Sequence, residues 1–252
     1  FANGRPVGVK DYIASGDQTL SLRFISDAVG TGHTAAARIV ARPGARLLLL
    51  ETHEGKGSAY VAHNTLELDV AAGAEVTRVV LVEEPEDAIS IAEAHVKVEA
   101  GGVYRQTIVT TGAKLQRIET RITHYAQGAQ VQADGLYLLN GSRHADLTSI
   151  VRHVEHDGAT SQLIKGVARD TARGVFQGKI VVERGADGTG LRGRQHPCVR
   201  HPHAPLRRLG GCQRPHRRRR GTARGLVPCA DGGGIGADGD FITSPEISQL
   251  FG

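Results

Sequence analysis

The chain has no methionine and no tryptophan, and aromatic residues make up only 4% of its 252 positions. Its three cysteines, Cys198, Cys212 and Cys229, all lie beyond residue 189. The main body therefore has no disulfide and cannot ligate a metal or cluster through its own thiolates. Long apolar runs are missing as well. None is longer than Leu47–Leu50, which is the size of a strand, whereas a membrane helix needs roughly 18 to 20 apolar residues. The first residues, Phe1-Ala2-Asn3-Gly4, carry neither an initiator methionine nor the charged-then-apolar pattern of a signal peptide. We therefore expect a cytoplasmic protein whose chain begins mid-sequence. Nor is there a Gly-x-x-x-x-Gly-Lys-Ser/Thr phosphate loop, a Gly-x-Ser-x-Gly elbow or a His-Glu-x-x-His zinc helix. Catalysis thus has no sequence anchor, and we expect a non-enzyme.

What is present divides unevenly. The net charge of +5 conceals a segment, 190–230, with eleven arginines and no Asp, Glu or Lys. The remainder is acidic, with 20 Lys and Arg against 26 Asp and Glu. A hydrophobic fraction of 40% is enough to build a core in a chain of this length.

From Ile39 to Val182 the sequence reads as short apolar or β-branched runs with small-residue corners and little repetition at the helical period. The predicted strands are Arg46–Glu51, Thr65–Val70, Glu75–Val82, His95–Glu99, Tyr104–Thr110, Gln116–Tyr125, Val131–Leu139 and Lys179–Glu183. Alternation places Ile118, Thr120 and Ile122 on one face and Glu119, Arg121 and Thr123 on the other. Corners such as Arg42-Pro43-Gly44-Ala45, Ala72-Gly73-Ala74, Ala100-Gly101-Gly102, Thr111-Gly112-Ala113 and Gln127-Gly128-Ala129 use Gly where a positive φ is needed. This cadence fits a β-sandwich or a β-solenoid, and the lack of Asn-Gly or Asp-Gly two-residue hairpins in these quoted corners favours the solenoid. One helix is expected, Glu84–Ala94, from the acids at its start.

The candidate chemical residues in the core are His144, His153 and His156 with Asp146, Glu155 and Asp157. They can be drawn as a metal site or a general-base pair. On one strand, however, the odd separation of His153 and His156 turns them to opposite faces, which opposes a chelate. The favoured reading is polar, partly exposed strand residues at a protein interface. Lys165 and Lys179 read as surface or interface cations. No residue is assigned a catalytic, cofactor-binding or metal-binding role.

The runs His144-Ala-Asp-Leu-Thr-Ser-Ile-Val-Arg-His153, Ser161-Gln-Leu-Ile-Lys165-Gly166 and Arg173-Gly174-Val-Phe176-Gln-Gly178-Lys179, with Leu136-Tyr-Leu-Leu-Asn140-Gly141 upstream, resemble the SufB/SufD family of iron-sulfur cluster assembly proteins. The Phe176-Gln-Gly178-Lys179-Ile form is closer to SufD than to SufB. The resemblance covers roughly residues 1 to 189 and is strongest from 115 to 187. It implies an all-β, right-handed parallel β-helix core that acts as a scaffold, pairs with SufB and docks a SufC ATPase through a helical domain. The assembled complex would carry a transient iron-sulfur cluster. On this reading residues 1–38 lead into the core, 39–189 form it, and the match stops before the family's cluster-site histidine and the SufC-docking region. No cluster residue is carried over. The rival is a β-solenoid carbohydrate-active enzyme, which needs clustered carboxylates and aromatic sugar platforms, and the few aromatics disfavour it.

Segment 190–252 admits three readings: nucleic-acid binding through Arg217–Arg220, a zinc site from Cys198, His201, His203 and Cys212, or out-of-frame translation of GC-rich coding sequence. No aromatics interleave with the arginines, and the ligand spacing fits no standard zinc pattern. The third reading is preferred, and a disordered segment is expected. The final residues, Gly239-Asp240-Phe241-Ile-Thr-Ser-Pro-Glu-Ile-Ser-Gln-Leu-Phe251-Gly252, resemble MidA-like S-adenosylmethionine-dependent methyltransferases. The cofactor loop that should follow is missing, so no methyl transfer is expected.

Overall fold

The computed structural model describes residues 10–184, 186 and 188–200. Within them the chain winds into a parallel β-helix of fourteen strands. The odd-numbered strands are β1 (Lys10–Ala14), β3 (Gly32–Ala41), β5 (Val61–Val70), β7 (Ile89–Val98), β9 (Leu115–His124), β11 (His144–His153) and β13 (Arg173–Val182). The even-numbered strands are β2 (Asp17–Ser26), β4 (Arg46–Gly55), β6 (Glu75–Glu83), β8 (Val103–Thr110), β10 (Gln130–Leu139), β12 (Ala159–Arg169) and β14 (Gly190–Arg200). Each set forms one seven-stranded parallel sheet in chain order, and the two sheets face each other across the core. The register climbs one coil at a time, from Asp17 to Arg46, Glu75, Val103, Gln130, Ala159 and Gly190. A solenoid of this kind buries each coil only against its neighbours.

Alternation of apolar and polar residues builds the core. In β6, Val76, Val80 and Val82 point inward while Val79 and Leu81 remain exposed outside. In β9, Ile118, Thr120 and Ile122 are buried, as the alternation predicts. The corners work as expected at Gly44, Gly73, Gly101, Gly112 and Gly128, which adopt φ between 62° and 77°. There the coil requires the left-handed region, which an L side chain rarely adopts.

Three expectations change. Residues Glu84–Ala94 form no helix: Pro85–Ala88 turn the corner, and Ile89–Val98 runs extended with Ser90, Ala92 and Ala94 facing in. The acids Glu84, Glu86 and Asp87 belong to that corner instead of to a helix start. The coil also begins before Ile39, since β1 and β2 already pair with β3 and β4. These first strands are rich in polar residues, which hid them from an apolar-run reading. Finally, Gly190–Arg200, where the disordered segment was expected to start, pairs with β12 along its full length as β14. Arginines are compatible with a strand here because the parallel ladder bonds through the backbone. Residues 201–252, including His201, His203, Cys212, Cys229 and the final methyltransferase-like motif, lie outside the described residues.

Candidate functional site

The chemically distinctive residues are not on a cleft but inside the coil. Strand β4 turns Glu51 and His53 inward, and β6 turns Arg78 toward them. Arg78 donates Nε–H to Glu51 Oε2 and Nη2–H to Glu51 Oε1, both at 2.8 Å, and Nη1–H to Gln106 Oε1 at 2.8 Å. Tyr104 donates its hydroxyl to the same Gln106 oxygen at 2.7 Å. His53 Nε2 lies 2.8 Å from Glu51 Oε1, its Nδ1 lies 3.2 Å from the Asn64 amide, and its ring stacks on Phe24 at 4.8 Å. Arg78 and Glu51 are each 2% exposed. Burial pushes the Glu51 carboxyl up, but the Arg78 charge and the hydrogen bonds from His53 and Arg78 outweigh it and hold it at about 2. A fork-to-carboxylate pair with a further hydrogen bond to one carboxylate oxygen is the arrangement in which a buried charge is tolerable.

A second polar cluster ends β9 and β11. His124 and His153 are register partners, both fully buried, with rings stacked at 4.0 Å and 28°. Thr160 of β12 bridges their Nε2 atoms. Burial lowers both imidazoles, His124 to about 3, with His153 lowering it further, and His153 to about 4. At neutral pH neither ring carries charge.

A third cluster braces the 85–88 corner. Tyr60 and Ser90 both donate to Glu84, and Arg143 reaches across from the 140–143 corner to donate Nη1–H to the carbonyls of Glu84 and Gly112, each at 2.8 Å. Three corners are thereby fastened together.

The candidates from sequence are dispersed. Asp146 lies on the outer sheet face, taking Thr148 Oγ1 at 3.0 Å and Arg117 at 3.1 Å, and burial raises its carboxyl. His144 is half-buried beside it, held down by burial. His156 pairs with Asp157 at 2.8 Å on an exposed corner, where Asp157 takes a positive φ of 59°. His153 is brought together with neither His144 nor His156. The expectation that His153 is partly exposed at an interface is corrected: it points into the core, because it shares the inward phase of β11 with Ala145, Leu147, Ser149 and Val151. Lys165 is exposed on β12. Lys179 lies on β13, opposite Ile150 in the ladder. Cys198 aligns with Val167 in the β12–β14 ladder.

The sequence reading missed Glu51, Arg78 and His124. The signal was available: each falls on the inward phase of an alternating strand, where a charged or imidazole side chain must find a partner. Among the described residues, no three His, Cys, Asp or Glu side chains are grouped to hold a metal ion. Among those residues too, no helix is long and apolar enough to cross a membrane.

The motif glycines have a packing role. A Cβ on Gly166 or Gly174 would fall inside the Tyr137 ring, and one on Gly135 would lie 2.9 Å from Ile164 Cδ1. Lys165-Gly166 and Arg173-Gly174 therefore close the coil around an inward tyrosine.

Fold and interior together define a parallel β-solenoid with polar clusters inside its coil and no open reaction cleft in these three clusters. The chain belongs to the SufBD family: the profile of the SUF system FeS cluster assembly, SufBD core domain, matches residues 24–195. It is similar to an iron-sulfur cluster assembly SufBD family protein of Mycobacterium leprae (strain TN), 26% identical over 141 residues, which is 53% of this chain and 36% of that protein. A SufBD family protein of Synechocystis sp. (strain ATCC 27184 / PCC 6803 / Kazusa) is 28% identical over 123 residues, 49% of this chain and 27% of that protein. The match therefore spans about a third of the length of these relatives. No solved structure gives a significant match.

Proposed function

We propose that this chain is a SufD-type, non-catalytic scaffold subunit of a cytoplasmic SUF complex, in which it pairs with a SufB partner and works beside a SufC ATPase. The observation that carries this reading is the SufBD core match over residues 24–195, laid on a β-helix whose buried Glu51 and Arg78 are paired with each other. The Phe176-Gln-Gly178 form of the last motif favours SufD over SufB. Among the described residues β13 pairs only with β11 and β14 only with β12, so both sheets present a parallel edge on which a partner strand can add. An iron-sulfur cluster is the cargo of the assembled complex, and no residue of this chain is assigned to it. Three carboxylates on the outer face have partners: Glu119 is held by Arg117 and Arg121, Asp146 by Arg117, and Glu93 lies 3.6 and 3.7 Å from His63 and His95. Those three acids are therefore not available as the free pair that the carbohydrate-active alternative needs.

The test is co-expression of the full chain, affinity-tagged, with SufB and SufC, scoring the retained subunits by mass. Stoichiometric retention of SufB supports the reading. A chain that folds, by circular dichroism, yet retains neither partner overturns it.

A further inference from the structure

The corner between β10 and β11 carries Asn140-Gly141-Ser142, the one Asn-Gly pair among the described residues. Asn140 is exposed, and Gly141 takes a φ of 63°. In an Asn-Gly pair the backbone nitrogen of the glycine can attack the preceding side-chain amide, because no Cβ obstructs its approach. The nucleophile of that reaction is here the Gly141 nitrogen.

This nitrogen is restrained by the next coil. Its N–H donates to Asp170 Oδ2 at 3.0 Å. The Gly141 carbonyl accepts the N–H and the hydroxyl of Thr171, each at 3.0 Å. Asp170 adopts a φ of 58°, a conformation that Asp tolerates better than most residues. Glu86 approaches from another corner: a Cβ on Gly141 would lie 2.6 Å from Glu86 Oε1. Attack requires the Gly141 amide to lose its proton, and the anion so formed would be flanked by two carboxylates. Like charge disfavours that ionisation, and the hydrogen bond to Asp170 is lost with the proton.

We propose that Asn140 is a latent deamidation site, convertible to aspartate and isoaspartate, and that Asp170 is the group that holds the reaction off. When the corner opens, the Gly141 nitrogen forms a bond to Asn140 Cγ and the Cγ–Nδ2 bond breaks. The proton from the Gly141 nitrogen leaves with the side-chain nitrogen as ammonia. Water then opens the succinimide ring. Opening at Cγ gives aspartate. Opening at the main-chain carbonyl gives isoaspartate, in which the backbone runs through the former side chain and gains a methylene. Isoaspartate therefore lengthens the corner from which Arg143 reaches the Glu84 and Gly112 carbonyls. Either product adds negative charge next to Gly141, which Glu86 and Asp170 already flank.

The full chain is incubated at mildly alkaline pH, folded and, in parallel, unfolded in guanidinium. The tryptic peptide 122–143 contains Asn140 as its only asparagine, so mass spectrometry reads its conversion directly. Electron-transfer fragmentation separates isoaspartate at 140 from any formed at Asp134-Gly135. The folded chain converts roughly tenfold or more slowly than the unfolded one, the rate equivalent of a hydrogen bond to a charged acceptor. Asp170→Gly removes the carboxylate without straining a position at φ 58°, and it brings the folded rate toward the unfolded one. The proposal is overturned if the unfolded chain does not convert, if the folded wild type converts as fast as the unfolded chain, or if folded Asp170→Gly matches the wild type. Should Asp170→Gly fail to fold, amide exchange of Gly141 in the wild type decides. Slowed exchange upholds the restraint, and exchange at the rate of an unstructured peptide overturns it. The outcome is independent of partner retention.

Discussion

Replacing Arg78 by methionine tests whether the buried ion pair holds the solenoid together. The substitution keeps an unbranched side chain of similar reach and removes only the charge and its donors. Glu51, 2% exposed, then keeps His53 at 2.8 Å but loses two bonds of 2.8 Å and its counter-charge. An uncompensated buried charge typically costs about 3 to 5 kcal/mol. The carboxyl offers a cross-check: its fall from the ordinary 4.5 to about 2 corresponds to about 3 kcal/mol of preference for the charged form. Against a typical stability of about 5 to 15 kcal/mol this is a large loss. Equilibrium urea unfolding near neutral pH, followed by circular dichroism, measures it. The sign with pH follows from the depressed carboxyl: its contribution is complete above about pH 4.3 and is lost as pH falls toward about 2. Removing both charges, with Arg78→Met and Glu51→Leu, recovers most of the loss, because it is the unpaired charge and not the missing pair that is costly. A single variant within about 1 kcal/mol of the wild type, or a double variant no better than the single, refutes the argument.

The stacked histidines predict acid sensitivity of a different kind. Their folded values, about 3 and about 4, lie below the unfolded value, near 6.5, so the unfolded chain takes up protons first. Stability is then full above about pH 6.5 and falls as pH drops toward 3, and in His153→Gln, which loses one imidazole, the slope of the urea midpoint against pH over that window becomes shallower. Gly166→Ala places a methyl group inside the Tyr137 ring and costs about 1 to 3 kcal/mol; Tyr137→Leu in the same chain recovers part of it, and a Gly166→Ala midpoint equal to the wild type contradicts the packing described. Arg143→Ala removes two donors from the Glu84 and Gly112 carbonyls and costs about 1 to 2 kcal/mol. Its clearest signature is faster amide exchange at the 85–88 and 111–113 corners, with the β-strand interiors unchanged.

The coil was legible because its signals are local. Gly44, Gly73, Gly101, Gly112 and Gly128 mark corners by a conformation that other residues rarely adopt, and alternation in β9 names its own inward face. The helix at Glu84–Ala94 was misread because three acids close together resemble a helix start, whereas here one of them, Glu84, is a hub for Tyr60 and Ser90. The polar interior was illegible for another reason. Glu51 and Arg78 are 27 residues apart, and His124 and His153 meet only because β9 and β11 are in register. Such pairings depend on coil length, which varies at the corners and cannot be read from either strand alone.

The residues that carried the family resemblance and the residues that carry the chemistry overlap only at His153. Lys165-Gly166 and Arg173-Gly174 specify how the coil closes over Tyr137, so a sequence with those motifs declares its architecture. Glu51, Arg78, His124, His153 and Thr160 lie outside the glycine motifs, and each is satisfied by, or aimed at, another coil. A solenoid tolerates such polar rungs because every coil is fixed by its two neighbours, so a buried charge on one can be met by the next. Polar rungs also penalise any slip in register: moving β6 by one residue against β4 would turn Arg78 outward and leave Glu51 buried without its counter-ion. The interior ion pair therefore acts as a register lock. A rigid register keeps the strands at both sheet edges in fixed alignment, as the proposed addition of a partner strand at those edges requires.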